Sequence, residues 1–211
     1  MKEKVLAEYE AEKFLAKHLP VAKSVLVKSE KQLEPSLKKF HFPVVMKIIS
    51  KDALHKSDIG GVIIVKKHEE AAGSYRELLK KAKKIKLEGI LLQEFVEGKE
   101  VIMGIKHDAT FGHVIAFGIG GKYVEIFRDI SFRVCPITKQ DAEEMVDELK
   151  FGKFLFGARG EKTANREVLV RMLVKLSDLA KKNRKIKELD INPFMINDRT
   201  GKVADARIVF S

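Results

Sequence analysis

Apolar positions recur along the chain at two periods, and each switch of period marks a change of element. Val5, Leu6, Tyr9, Ala16 and Leu19 share one helical face, with Phe14 and Leu15 at its margins, which predicts an opening helix ending near Pro20. Short β-type runs follow at Val25–Val27, Val44–Ile48 and Val62–Val65, ahead of a second helical stripe of Ala71, Tyr75, Leu78, Ala82 and Ile85. These elements make a first lobe, residues 1–90. A second lobe, 91–211, opens with "GILLQEFVEGKEVIMGIKHD", two strands about a turn at Gly98, and continues through "HVIAFGIGGKYVEIFRDISFRVCP" as further strands interrupted by glycines. Thr138 and Asp141 read as a capping pair ahead of Ala142, Met145, Val146 and Leu149, and Asn165 as the cap of the stripe Val168, Leu169, Met172, Leu173, Leu176 and Ala180. "IKELDINPFMINDRTGKVADARIVF" closes the chain as a hairpin turning at Asp198–Gly201. The pattern predicts an α/β (α+β) protein, one domain over 1–211 whose two lobes each combine a sheet with helices.

Composition narrows the setting. No run reaches the roughly 18 uncharged apolar residues of a membrane span, and "MKEKVLAEYEAEKF" is a charged amphipathic start, so a cytoplasmic protein with no membrane association is expected. Cys135 is the single cysteine, which excludes an internal disulfide, and its flank "FRVCP" predicts a buried structural thiol. Lys and Arg number 41 against 30 Asp and Glu, a net charge of +11 that suits an anionic ligand, a nucleic acid, an acidic partner or simply a solvated surface. The run "KKAKKIK" reads first as the wet face of an amphipathic helix, its cations gathered where the helix dipole favours them.

Candidate chemistry collects at a few places. On the closing hairpin, strand alternation puts Glu188, Asp190 and Asn192 on one face and Leu189 and Ile191 on the other. Asp205 and Arg207 share a face of the returning strand, so a carboxylate can stand across from that row. Oxygen ligands without His or Cys suit Mg²⁺ held partly by phosphate; a polar face on an amphipathic hairpin is the alternative. Lys47 ends the run "VVMK" and can extend its ammonium from the strand towards an anion or to water. Gly60 and Gly61 permit close backbone approach and can present N–H groups to phosphate. His55, among Lys56, Ser57 and Asp58, has the residue type for proton or phosphoryl transfer, or is an exposed loop histidine. Glu94 and Glu100 flank one short connection, where backbone could bind a base and a carboxylate ribose hydroxyls, or where they merely decorate a hairpin. Gly118, Gly120 and Gly121 within a strand-like run indicate a bulge or close approach. Arg128, Arg133 and Arg159 beside Asp129 and Ser131 suit phosphate or carboxylate, against surface ion pairs.

"PVVMKIISKDALHKSDIGGVIIV", "LLQEFVEGKEVIMGI", "FGIGGKYVEIFRDISFRVCPI", "GARGE" and "ELDINPFMI…VADARIV" stand in the order found in a known family. From Tyr9 to Phe210 the chain resembles the ATP-grasp β subunits of archaeal ADP-forming acetyl-CoA (acyl-CoA) synthetases, and more distantly the β subunit of succinyl-CoA synthetase. The resemblance implies an ATP-grasp fold with ATP or ADP between two lobes. Lys47 would contact phosphate, Glu94, Phe95 and Val96 would form the adenine hinge, and Glu100 would lie near ribose, with Gly60 and Gly61 at the phosphates. Asn192 and Asp205 match the family's pair of Mg²⁺ ligands, with Asp190 a third. His55 falls on the loop histidine that takes a phosphoryl group from a partner's phosphohistidine and hands it to ADP, and Asp58 could orient its ring. The partner α subunit would carry the CoA-binding and first phosphohistidine domains, in an α₂β₂ assembly. "KSEKQLEPSLKKFHFP" and residues 66–90 are compact, which suggests a trimmed first lobe. Two other functions fit the residues: an ATP-grasp carboxylate ligase that needs no phosphohistidine, and a basic nucleic-acid or scaffold protein on an ATP-grasp-like fold. The enzyme reading expects no nucleic acid.

Overall fold

A computed structural model describes residues 3–50, 59–121, 129–157 and 163–211. The chain divides into two compact units, Ala22–Phe95 and a larger one formed by Met1–Val21 with Val96–Ser211. The lobes expected from sequence met at residue 90 and gave the opening segment to the first.

In the smaller unit four antiparallel strands lie in the order β2 (Ser24–Val27), β5 (Leu87–Glu94), β3 (Val44–Ser50), β4 (Val62–Val65). Val44, Met46 and Ile48 alternate onto one face of β3 and pack with Tyr75 and Leu78 of helix α3 (Ala71–Lys81) and with Leu33 and Leu37 of the short α2 (Leu33–Leu37). The stripe Ala71, Tyr75, Leu78, Ala82 is buried, as its spacing requires, and the lysines after it fall on the exposed side.

The larger unit is a seven-stranded antiparallel sheet in the order β1 (Lys4–Leu6), β11 (Ala206–Phe210), β9 (Ile186–Ile196), β6 (Lys99–Asp108), β7 (Gly112–Ile119), β8 (Ile130–Val134), with β10 (Gly201–Val203) also on β9. Helices α1 (Glu8–Leu15), α4 (Lys139–Asp147), α5 (Gly152–Phe156) and α6 (Arg166–Lys182) contribute to the single core that Val101, Met103, Ile105, Ile115, Phe117, Leu189 and Ile191 present from one sheet face. Both expected caps form. Thr138 and Asp141 close a capping box at the start of α4, and the Asn165 side chain accepts from the Val168 N–H at 3.1 Å. Asn165 also joins α6 to the β9–β10 turn, accepting nothing there but donating from its N–H to the Asn197 carbonyl and from its amide to that of Asp198.

The opening segment corrects the expectation. Residues Lys4–Leu6 are a strand, because β11 offers them an open edge: Lys4 pairs with Phe210 and Leu6 with Ile208. The helix therefore starts at Glu8 and takes its phase from there, burying Glu8, Ala11, Glu12 and Leu15, with Leu19 just beyond it. Leu15 is core rather than margin, and Ala16 is exposed.

Two further contacts brace this unit. Asn197 accepts from the Arg199 and Thr200 N–H groups and donates to the Glu97 carbonyl at 2.9 Å, tying the β9–β10 turn to the β5–β6 connection. Beside it a Cβ on Gly98 would collide with the Ile196 backbone. At the opposite edge Arg133 on β8 forks onto Glu148, which also accepts from the Ser131 hydroxyl at 2.6 Å, with Glu144 close by. Arg133 and then Ser131 hold the Glu148 carboxyl below its ordinary pKa.

Gly98→Ala is expected to lower stability by about 1–3 kcal/mol, since backbone rather than a pliable side chain stands in the way, read as a fall in the urea midpoint. Glu148→Gln should destabilise at neutral pH. The carboxyl's depressed folded pKa places its contribution above the unfolded value of about 4.3, so the gap to wild type should close as pH falls through the folded pKa.

Candidate functional site

The candidate residues fall on both units, and each group is built by local strand geometry. In the smaller unit Lys47 is 7% exposed in the middle of β3. Its neighbours Met46 and Ile48 face the helices, so alternation turns Lys47 to the other face, with Val45 and Ile49 along the strand and Val62 and Leu91 across it. An ammonium there emerges from an apolar sheet, which is costly unless a polar or anionic group meets it. Gly60 has φ +63, in the left-handed region, and Gly61 accepts from the Ile48 N–H at 2.9 Å, so this turn is stitched to the residue after Lys47. Glu94, at the end of β5, exchanges a pair of bonds with Lys23: its N–H donates to the Lys23 carbonyl at 2.9 Å and its carboxylate accepts from the Lys23 N–H at 2.7 Å. Phe95 follows as a partly exposed side chain. His55, Lys56 and Asp58 lie outside the described residues.

In the larger unit Val96 precedes the turn at Gly98, and Glu100 sits near the start of β6. The glycines flagged within the strand-like run explain themselves here. The Gly120 N–H donates to the Glu100 carbonyl at 2.8 Å, and Gly121, at φ +71, lies so close to the Glu100 carboxylate that a Cβ would stand 2.5 Å from its oxygen. Two glycines thus form a seat for one glutamate.

The row on β9 is arranged as alternation requires. Leu189 and Ile191 are buried in the core, while Glu188, Asp190 and Asn192 reach solvent from the opposite face, the Asp190 carboxyl crowded there by the neighbouring chain. Asp190 pairs with Arg207 across β11, and the Asn192 N–H donates to the Asp205 carbonyl at 3.1 Å, which brings Asp205 beside the row. Burial raises the Asp190 pKa, and the charges of Asp205 and Glu188 raise it further against the opposing pull of Arg207. Two carboxylates and a neutral amide are a donor set suited to a hard divalent cation whose remaining positions are filled by water or phosphate. Among the described residues no three His, Cys, Asp or Glu side chains cluster as a metal site on their own.

Other candidates resolve differently. Arg133 is occupied by Glu148 and Glu144 and is a structural ion pair, not an anion site. Asp129 accepts from the Lys150 and Phe151 N–H groups at 3.0 and 2.8 Å, which fixes the chain entering α5. Arg128 and Arg159 lie outside the described residues. Cys135 is half-buried, and desolvation raises its thiol pKa, which agrees with a structural thiol. An open groove of about 790 Å³ between α4 and α6 is lined by Lys139, Arg166, Arg171 and Lys175 with Glu143 and Glu167. It lies on the helical side of the sheet, away from the Asp190 row. No helix among the described residues is long and apolar enough to cross a membrane.

A family model described as an ATP-grasp domain matches residues 1–210. The chain is 41% identical to the β subunit of acetate–CoA ligase (ADP-forming) I of Pyrococcus furiosus, over 97% of this chain and 91% of that one. It is 40% identical to acetate–CoA ligase (ADP-forming) II of Archaeoglobus fulgidus, over 97% of this chain but 30% of that protein. Among solved structures, an acetyl-coenzyme A synthetase of Ca. Korarchaeum cryptofilum, in complex with coenzyme A and Ca-AMPCP, superposes with a TM-score of 0.93 at 40% identity, covering 99% of this chain and 94% of that one. A second structure of that synthetase, with coenzyme A, Mg-AMPPCP and a phosphohistidine segment pointing towards the nucleotide site, gives a TM-score of 0.86 at 38% identity, covering 99% and 93%. The chain belongs to the ATP-grasp family, in the branch formed by the β subunits of ADP-forming acetate–CoA ligases.

Proposed function

We propose that this chain is the nucleotide-binding β subunit of an ADP-forming acyl-CoA synthetase, an acid–thiol ligase that interconverts acyl-CoA, ADP and phosphate with carboxylate, ATP and CoA. The observation that carries the reading is the acid row on β9. Asp190 and Asn192 face Asp205 on an otherwise strand-regular surface, and the like charges make a bound cation favourable. Relatives held with Ca²⁺ or Mg²⁺ nucleotide analogues support the same assignment.

In this reading Lys47 neutralises phosphate oxygens, the Gly60–Gly61 turn supplies backbone donors, and Glu94, Phe95 and Val96 meet the adenine. Glu100, seated by Gly120 and Gly121, takes ribose hydroxyls. Asp190, Asn192 and Asp205 would hold Mg²⁺, which supplies charge neutralisation on the nucleotide phosphates. His55 attacks the phosphorus of a phosphohistidine on the α subunit through a neutral ring nitrogen, and the bond to the donor histidine breaks. A terminal oxygen of ADP then displaces His55 from phosphorus, forming ATP and restoring the neutral imidazole. Catalysis is positioning and charge stabilisation, since the equatorial oxygens carry the developing charge. The α subunit supplies CoA binding and the acyl phosphate chemistry, and the assembly is an α₂β₂ hetero-oligomer in the cytoplasm. The 30% share of the longer Archaeoglobus fulgidus protein that this chain matches leaves length for such a partner in one polypeptide.

Thermal unfolding tests the nucleotide site directly. At about 100 times the dissociation constant, a ligand that binds only folded protein stabilises by about 2.7 kcal/mol, so Mg-ADP or Mg-ATP should raise the Tm of wild type. Lys47→Ala should lose the shift, and chelating Mg²⁺ should weaken it. With the α subunit present, His55→Asn should abolish ATP synthesis from acyl-CoA, ADP and phosphate while leaving the nucleotide-induced shift intact. Steep salt-dependent binding to RNA or DNA, with no response to Mg-nucleotide, would instead establish the nucleic-acid alternative.

A further inference from the structure

Helix α3 ends with a lysine that reaches the glycine turn. The Lys81 ammonium donates to the Gly60 carbonyl at 3.0 Å and pairs with Glu77, one turn earlier on the same helix, at 2.7 Å. Glu N-terminal to Lys at this spacing is the favourable order on a helix. A glutamate and a helix end therefore hold one ammonium against one backbone carbonyl.

That contact fixes the direction of a peptide. The Gly60–Gly61 unit is trans and planar, so its C=O and N–H point in opposite directions. With the Gly60 carbonyl turned to Lys81, the Gly61 N–H is turned away from it. Helix α3 covers the sheet face that carries Met46 and Ile48, whereas Lys47 leaves β3 from the other face. The Gly61 carbonyl, bonded to the Ile48 N–H, sets the same peptide chain beside Lys47 at the level of the strand. The Gly61 N–H thus points away from the α3 lysine, and the Lys47 side chain leaves the sheet on the face that α3 does not cover.

We infer that Lys81 is a positioning residue for phosphate binding: braced by Glu77, it locks the left-handed Gly60 and so aims the Gly61 N–H at the phosphate oxygens that Lys47 neutralises. The inference rests on the nucleotide-site reading above and adds a residue to it that touches no substrate. Its role also accounts for glycine at 60. A side chain there would be strained at φ +63 and would bring a Cβ to 2.9 Å from the Lys81 Nζ.

The experiment is a set of dissociation constants for Mg-ATP, Mg-ADP and adenosine, measured by titration calorimetry on wild type, Lys81→Met, Lys81→Arg and Glu77→Gln. Lys81→Met keeps the aliphatic stem and removes the donor, and should weaken Mg-ATP and Mg-ADP at least tenfold while leaving adenosine, which has no phosphate, within about twofold. Lys81→Arg should recover most of the loss, and Glu77→Gln should fall between. Should Lys81→Met fail to fold, Glu77→Gln carries the test, since it loosens the ammonium without touching the turn. Equal nucleotide affinity in wild type and the folded variants overturns this inference alone. Parallel losses for nucleotides and adenosine also overturn it, because they would mark a general structural defect. Wild type that binds neither nucleotide overturns the nucleotide-site reading, and this inference with it.

Discussion

Alternation along β9 is the constraint on which the larger unit depends. The strand lies between β11 and β6, so both of its edges are committed to pairing and its register cannot slip. A shift of one residue would carry Leu189, Ile191 and Phe194 out of the core and drive Glu188 and Asp190 into it. Burying such carboxylates without partners costs several kcal/mol each, far more than any local rearrangement returns. The core therefore enforces the position of the acid row, and the polar face is held by hydrophobic packing on the other. Asn192 adds a second lock, since its N–H bonds the Asp205 carbonyl and brings the returning chain to the same place.

Much of this was legible in the sequence because it is written at short range. The period-2 pattern of "ELDIN" separates core from polar face on β9, and the stripe from Ala71 to Ala82 separates them on α3. The caps at Thr138 and Asn165 were legible because a side chain three residues from its backbone donor needs no tertiary information. Gly120 and Gly121 were legible as a close approach, although what approaches, the backbone and carboxylate of Glu100, was not.

What stayed hidden is set by partners far along the chain. Val5 and Leu6 fit a helical face in isolation, yet the free edge of β11, some 200 residues on, draws them into a strand. Arg133 fitted either an anion ligand or a surface ion pair, and only the fold brought Glu148, just past the end of α4, to its guanidinium. Asn197 gave no signal beyond a turn residue, although it joins two connections about 100 residues apart. Lys81 sat within a lysine-rich run whose members look alike in sequence, and only the fold distinguishes the one that meets Gly60. The individual roles of Lys47, Glu94, Asn192 and Asp205 came from resemblance to a family, since spacing alone left each with a structural alternative.

The charge of the chain can now be divided by purpose. Ion pairs such as Lys187–Glu3, Arg166–Asp147 and Arg133–Glu148 are partly or largely exposed, and solvent screens pairs of that kind, so the fold does not require the basic excess. A net charge of +11 instead raises the local concentration of anions around the molecule. Set within this field, burial raises the Asp190 pKa and the negative charges of Asp205 and Glu188 raise it further. A free anion is drawn to the protein but repelled at that row, and a free cation is drawn to the row but repelled by the protein. A divalent cation carried on a polyphosphate would satisfy both, its metal suited to an acid row and its remaining negative charge to the basic excess. The electrostatics therefore favour the metal–nucleotide pair over either component alone, which is the species a phosphoryl-transferring subunit must select.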